Sequence, residues 1–344
     1  MKKTGIINGS ATAQQKSSKI RLFVAALSFL LAVFFLFKMP TFAQTASLAP
    51  AATVVTPTTL IDSVSTTTPA IDIASSTTAT SSTPTTPPTN PGVTEVPASW
   101  TSVLPKRPWD VAFDGTDYIV TAVDLDHNAS RLLKVTPSGT ISIIASFKKK
   151  IFGVAIDGAD YVVTDGNGNL LKISAKGAVT TIATEVTTPN FPADVALQGS
   201  DYVVTDYNGG RLLDVAQDGT VSVIASGLKH ITSVLPDGAS YLIGANSHEG
   251  EPMLYRIVSG APIPFVNLRA WLGYGTVGKI TKVASDYYIA AGTSILRVTP
   301  DGSVSVIPTG HNIQGLTNDG SNIIATDFSK PKLLQISIAT STIP

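Results

Sequence analysis

Histidine and carboxylate are the side chains in this chain that could move a proton or hold a metal, and they gather in a few short polar segments. His127 sits in Asp124-Leu125-Asp126-His127-Asn128, His230 follows Lys229, His248 precedes Glu249, and His311 precedes Asn312. Histidine titrates near neutrality and serves as base or ligand, so this gathering suggests a site, but polar residues collect in loops in any case, and that plainer reading is the favoured one. Asp165, Asp206 and Asp327 recur at one position of an internal repeat. An aspartate there can cap its own turn by accepting backbone N–H bonds, or several can converge on one ligand, and recurrence favours the cap. Asp124, Asp126 and Asn128 place oxygens at alternate positions, as a loop around a hard cation needs. Ala129 stands where such a loop wants glycine and Val135 where a bidentate glutamate would close it, which favours a plain Asx-rich turn. No cofactor is the simpler expectation, and a divalent cation is the one candidate.

Other chemistries have no motif behind them. The chain holds no cysteine, which excludes disulfides, thiolate metal sites and a thiol nucleophile. Neither a G-x-S-x-G elbow nor an H-E-x-x-H helix occurs. Gly273-Tyr274-Gly275-Thr276-Val277-Gly278 matches the dinucleotide fingerprint by letter, but a β segment rather than a helix follows it. No catalytic residue is assigned. Residues 99–344 carry 18 basic and 21 acidic side chains, so nucleic acid is not an expected partner.

The elements that must position these residues repeat. Asp110-Val111-Ala112, Gly153-Val154-Ala155 and Asp194-Val195-Ala196 each lead through a turn to a tyrosine-led apolar run, and the frame recurs three more times in weaker form. Its turn position falls at Gly115, Gly158, Gly199, Gly238, Ala284 and Gly320, a period near forty residues. Short β runs at that period are the mark of propeller blades. Turn pairs such as Asp157-Gly158 and Asp218-Gly219 divide each unit into four strands, and second strands that are apolar on both faces fit stacking between neighbouring sheets. The fold expected is all-β, a six-bladed propeller over residues 99–344. The sixth unit runs out of chain before its fourth strand, and Ser99–Leu104 is the expected replacement, closing the ring from the N-terminal side. Tyr118, Tyr161, Tyr202, Tyr241 and Tyr287 are expected to pack between blades.

The third unit, from Pro192-Ala193-Asp194-Val195-Ala196 through Tyr202–Leu213 to Asp218-Gly219-Thr220-Val221, resembles an NHL repeat, and its features are shared with gluconolactonase-like and streptogramin-lyase-like propellers. The gluconolactonase-like enzymes carry a metal-binding glutamate ahead of the proline that opens the first inner strand; here Lys106 and Arg107 precede Pro108. In such blades the loops leading into the first strand and those joining the second and third emerge on one face. That face is the expected ligand site. It would gather Arg107, Trp109, Asp110, Asp194, His230, Lys279, His311 and Asn312 from the first set, and Asp165, Asp206, His248, Glu249 and Asp327 from the second.

The first hundred residues read as an address and a spacer. Five basic residues precede sixteen uncharged, mostly apolar ones, Leu22–Phe37, as in a signal peptide or signal anchor over residues 1–43. Residues 44–98, rich in Thr, Ser, Ala and Pro with three charges, read as a disordered stalk. The expectation is an exported or cell-surface binding module for a protein, peptide or glycan, touching the membrane only through an N-terminal anchor. The alternative is a metal-assisted hydrolase, lactonase or lyase with its site at the channel mouth.

Overall fold

The computed structural model describes residues 92–100, 107–124, 126, 128–186 and 192–338; the expectations for residues 1–91 lie outside it. Strand β1, Val93–Glu95, is followed by four regular four-stranded antiparallel sheets. The first is β2 (Arg107–Phe113), β3 (Tyr118–Asp124), β4 (Ala129–Val135) and β5 (Ile141–Phe147). The second comprises β6 (Ile151–Asp157), β7 (Asp160–Asp165), β8 (Leu170–Ile173) and β9 (Val179–Ala183). β10 (Pro192–Gln198), β11 (Asp201–Asp206), β12 (Arg211–Val215) and β13 (Val221–Ala225) make the third. β14 (Lys229–Asp237), β15 (Ser240–Asn246), β16 (Pro252–Val258) and β17 (Ala261–Asn267) make the fourth, after which a single helical turn, α1 (Arg269–Leu272), interrupts the pattern.

The rest of the chain forms one six-stranded sheet that contains two blades. It comprises β18 (Ile280–Val283), β19 (Asp286–Val298), β20 (Val304–Asn318), β21 (Asn322–Asp327) and β22 (Lys332–Ser337), with β1 at its edge. The first part of β20 pairs with β19 (Val298↔Val304 through Ser294↔Pro308), and its last part pairs with β21 (Leu316↔Ala325 through Asn318↔Ile323). One long strand therefore ends the fifth blade and begins the sixth.

Six apolar clusters confirm the count, one at each blade junction among the described residues. Val203, Leu212, Ile243 and Tyr255 join blades three and four, for example, while Tyr118, Val120 and Leu133 of the first blade pack on Ile324 and Leu333 of the sixth and close the ring. Tyr118, Tyr161, Tyr202 and Tyr287 are buried in these junctions and Tyr241 is half-buried, all five packed as expected.

The closing strand lies upstream of its expected place. β1 supplies it, with Val93↔Ile336, Thr94↔Gln335 and Glu95↔Leu334, and the Val96 N–H extends the ladder to the Leu333 carbonyl at 2.9 Å. Pro97 has no N–H with which to continue it. Trp100, expected within the strand, is instead buried against the junction of the first and last blades, and residues 101–106 lie outside the described residues. Residues 93–96, assigned from the sequence to the linker, are therefore part of the last blade. Among the described residues no helix is long and apolar enough to cross a membrane.

Candidate functional site

The centre of the ring is built from one repeat position. Counting eight residues back from each tyrosine, or from Ile323 in the last blade, gives Asp110, Gly153, Asp194, Ser233, Lys279 and Gly315. In five blades the first strand shifts register beside this position, and in four a second-strand threonine takes up the local N–H. Thr121, Thr164, Thr205 and Thr326 accept from Asp110, Gly153, Asp194 and Gly315 at 2.7–3.1 Å. The bulge would otherwise strand a buried donor, which explains why an apolar strand tolerates threonine there.

Charged residues occupy this position in the first, third and fifth blades, and small ones in the others. A Cβ on Gly153 would fall 2.9 Å from the Asp194 Cα, and one on Gly315 would fall 2.6 Å from the Asp110 Cα. Absence of a side chain there lets the charged strands close on the axis. Asp110 accepts from the Val111 N–H (2.8 Å) and from Val154 of the next blade (3.1 Å). Asp194 accepts from Val195 (2.8 Å) and from the Val234 N–H and Ser233 hydroxyl of its next blade (both 3.0 Å). Lys279 reaches between them, 3.0 Å from Asp110 Oδ2 and in contact with Asp194 Oδ1. Burial opposes the Lys279 ammonium, but the Asp110 and Asp194 carboxylates outweigh it and raise its pKa. Burial is also the largest influence on Asp110; it and the Asp194 charge raise its pKa against the pull of Lys279. The three side chains carry a formal net charge of −1.

Above this floor opens a cavity of about 640 Å³. Its walls include Trp109, Phe152, Tyr207, Asn312 and Gln314, and the segment Trp271–Lys279 apart from Gly273 and Tyr274. Trp109 is held by edge contacts with Phe152 (5.0 Å) and Phe328 (5.5 Å), and the Arg107 guanidinium covers the Phe328 ring at 5.1 Å. The segment after β17 is the largest departure from the repeat, and it brings the letter-matched glycine motif to the cavity wall rather than to a helix N-terminus.

Of the residues expected from the sequence, Trp109, Asp110, Asp194, Lys279 and Asn312 share this cavity, and Arg107 stands behind Trp109. His230 stacks on Tyr207 with ring centroids 4.7 Å apart. His311 Nδ1 lies 2.9 Å from Asp327 Oδ2. His248 and Glu249 are exposed and line no part of the cavity; Lys229 donates to the His248 carbonyl at 2.9 Å. Asp165 accepts from the Asn167 and Asn169 N–H groups, Asp206 from Gly209, and Asp327 from Ser329 and Lys330, so each caps its own turn. Their outer oxygens meet Lys149, Arg211 and His311, respectively. Asp126 donates its N–H to Asp124 Oδ1 at 3.0 Å, an Asx turn, and Asn128 has φ +50°; Leu125 and His127 lie outside the described residues. Among the described residues, no three His, Asp or Glu side chains gather as a metal-binding group.

Lys279 is the residue that a list of polar loop positions undervalues. Its signal is the offset from Tyr287, identical to those of Asp110 from Tyr118 and Asp194 from Tyr202.

The fold is a six-bladed β-propeller with a cavity at its axis. No protein-family profile matches the chain, and neither does any curated sequence. Among solved structures it is similar to a gluconolactonase from Xanthomonas campestris, with 15% identity and a TM-score of 0.55 over 67% of this chain and 86% of that one. It is also similar to an auxiliary nutrient binding protein from Bacteroides thetaiotaomicron (11%, 0.55, 67% and 69%) and to a chain of a nidogen/laminin complex (16%, 0.54, 63% and 88%). At these identities the likeness is one of fold.

Proposed function

We propose that this protein is an exported or cell-surface binding module whose ligand, the end of a glycan or peptide or a loop of a protein, enters the axial cavity. The observation that carries the reading is the cavity: aromatic walls above a floor of charges that satisfy one another. Pockets of about 300–1,000 Å³ with apolar walls and a few placed polar groups are the usual seats of small ligands. A nutrient-binding protein and a protein complex among the similar folds agree with a binding role. The gluconolactonase among them supports the alternative, a hydrolase or lyase, for which the His311–Asp327 pair is the nearest acid–base element. A metal at the axis would have to displace the Lys279 ammonium from between the two carboxylates, and this favours binding over metal-assisted hydrolysis. The basic and apolar N-terminus and the Thr/Ser/Pro tract support placement outside the cytoplasmic membrane.

Thr276 is exposed on the cavity wall, so Thr276→Trp tests the reading by filling the seat. Glycan and peptide arrays probed with the full chain should lose their signal with Thr276→Trp and keep it with Lys176→Ala, on an exposed turn elsewhere. Equal array binding by both variants would place the ligand outside the cavity. Turnover of an arrayed compound that Thr276→Trp abolishes would instead establish the enzyme.

A further inference from the structure

We infer that the cavity takes the neutral, hydroxyl-rich end of a saccharide, seated between two tryptophans and anchored by the one unused proton of Lys279. This rests on the binding reading above and names its ligand class.

The floor rejects charge of either sign. Its formal charge of −1 repels a carboxylate or phosphate brought into the same low-dielectric space. A ligand ammonium fares no better, because the carboxylate oxygens are already engaged. Asp110 Oδ2 accepts from Val154 and Lys279, Asp194 Oδ1 from Val195 and Lys279, and Asp194 Oδ2 from Ser233 and Val234. The fourth, Asp110 Oδ1, takes the Val111 N–H and lies against Gly315. An incoming ammonium would also meet Lys279 itself.

What the floor and wall still offer is neutral hydrogen bonding. An ammonium has three protons, and two of those on Lys279 go to Asp110 and Asp194. Its side chain remains 15% exposed and lines the cavity, so the third proton serves an acceptor on the ligand. Asn312 and Gln314 line the same cavity half-buried, and their side-chain amides have no hydrogen-bond partner among the described residues. Each amide both donates and accepts, which matches a hydroxyl that does the same. A ligand that left these groups unpaired on desolvation would lose affinity, so the cavity selects for hydroxyls.

The walls supply the complement to an apolar ring face. Two of the three tryptophans of the chain, Trp109 and Trp271, line the cavity with Phe152 and Tyr207. Trp109 is fixed by its edge contacts, whereas Trp271 is 42% exposed on the inserted segment and Tyr274, 64% exposed, follows it. A flat C–H face can stack on such rings while its equatorial hydroxyls reach Asn312, Gln314 and Lys279.

The test uses the full chain and oligosaccharides matched in length but differing in charge. Tetramers of N-acetylglucosamine (neutral), glucosamine (cationic) and galacturonate (anionic), with neutral gluco-, manno- and galacto-oligosaccharides, are titrated while tryptophan fluorescence and heat are recorded. At least one neutral saccharide should bind and shift the fluorescence, at least tenfold more tightly than any charged one. Trp271→Ala, an exposed change that leaves the blades intact, should weaken it about tenfold, and Asn312→Ala with Gln314→Ala by a similar factor. Lys279→Met should abolish binding if the variant folds; the three other substitutions keep the test decisive if it does not. Preferential binding of a charged tetramer, blocked by Thr276→Trp, would overturn the ligand class and leave the cavity as the seat. Absence of any saccharide binding, with a charged peptide shifting the cavity tryptophans, would do the same. If no saccharide or peptide perturbs these tryptophans, both readings fall.

Discussion

The two ends of the ring treat their repeats differently. At the turns joining first and second strands, one device appears at three junctions: Tyr118 donates to Asp319 (3.2 Å), Tyr202 to Asp157 (2.6 Å) and Tyr287 to Asp237 (2.5 Å). Each tyrosine is in the first, third or fifth blade and each aspartate in the blade before it. At the axis the same three blades carry Asp110, Asp194 and Lys279, two alike and one of opposite sign. Where a feature recurs unchanged at alternate junctions it holds neighbouring blades together. Where the third copy departs from the other two, the departure creates a charge arrangement that no single blade encodes, and there the cavity opens.

The largest test of that contrast is Lys279→Ala. It leaves two carboxylates facing each other at the axis without a counter-ion, and breaking a buried pair from one side costs about 3–5 kcal/mol. Urea denaturation should show a loss of that order. Adding Asp110→Asn and Asp194→Asn to Lys279→Met should recover much of it, because the unpaired charge is gone. The space vacated between the carboxylates should also make Lys279→Ala respond to calcium, its midpoint rising by more than that of the parent. Equal responses would show that the ammonium does not stand in for a cation.

Next come the small residues that let the axis close. Gly315→Ala places a methyl 2.6 Å from the Asp110 Cα and 2.8 Å from the Trp109 carbonyl, both backbone that cannot swing aside. Overpacking of this kind costs about 1–3 kcal/mol. Gly153→Ala, against the Asp194 backbone, should behave alike. If Gly315→Ala melts with the parent, the charged strands are not held by close approach.

At the opposite end the three tyrosines should prove interchangeable. Tyr118→Phe, Tyr202→Phe and Tyr287→Phe each remove a hydrogen bond to a carboxylate, worth about 1.5–3 kcal/mol, and similar losses are expected for all three. A large spread would break the equivalence on which the contrast rests. Alkaline pH probes the two ends together. Burial, with the Asp319 charge, pushes Tyr118 up to about 12, and burial with the Asp157 hydrogen bond does the same for Tyr202. A phenol raised in the folded state contributes stability that is full below its ordinary value near 10 and is lost as pH climbs through the folded value. The raised Lys279 adds a loss above about 10.5. Denaturation midpoints should therefore fall between pH 10 and 12, and less steeply in Tyr202→Phe. In acid, Asp157 and Asp237 are held low by Lys172 and Lys282 against burial, so their contribution, full above about 3.8, is lost as pH falls through the folded values.

The scaffold was legible because periodic elements write themselves locally. The tyrosine-led strands, the glycine turns and the capping aspartates at Asp165, Asp206 and Asp327 each follow from their own few residues. Closure was legible as a need, from a sixth unit one strand short, but not as an address. Val93–Glu95 and Ser99–Leu104 both offer β residues on either side of Pro97, and what assigns them is the apolar niche that takes Trp100, which exists only once the last blade is built. The cavity was half legible. Asp110 and Asp194 announce themselves in the D-V-A frame, whereas Lys279 sits in a blade whose frame has decayed to Lys279-Ile280-Thr281. The inserted Trp271 comes from a stretch with no counterpart in other blades, so no periodic argument reaches it.

The decayed fifth blade also yields the smallest prediction. Its turn position carries Ala284 where every other blade has glycine, and Ala284 adopts φ +52°. Gly158, Gly199 and Gly238 hold the same turn at +60° to +65°. An L side chain in that region costs roughly 1–2 kcal/mol per residue, whereas glycine adds unfolded-state entropy of about 0.4–1 kcal/mol. The difference favours glycine, so Ala284→Gly should stabilise the chain by about 0.5–1 kcal/mol despite deleting a methyl. Gly199→Ala, with open space around its Cβ, isolates the backbone effect and should cost a similar amount. If Ala284→Gly destabilises instead, the alanine methyl makes a contact that outweighs the strain, and the fifth blade departs from the repeat at its turn as well as at the axis.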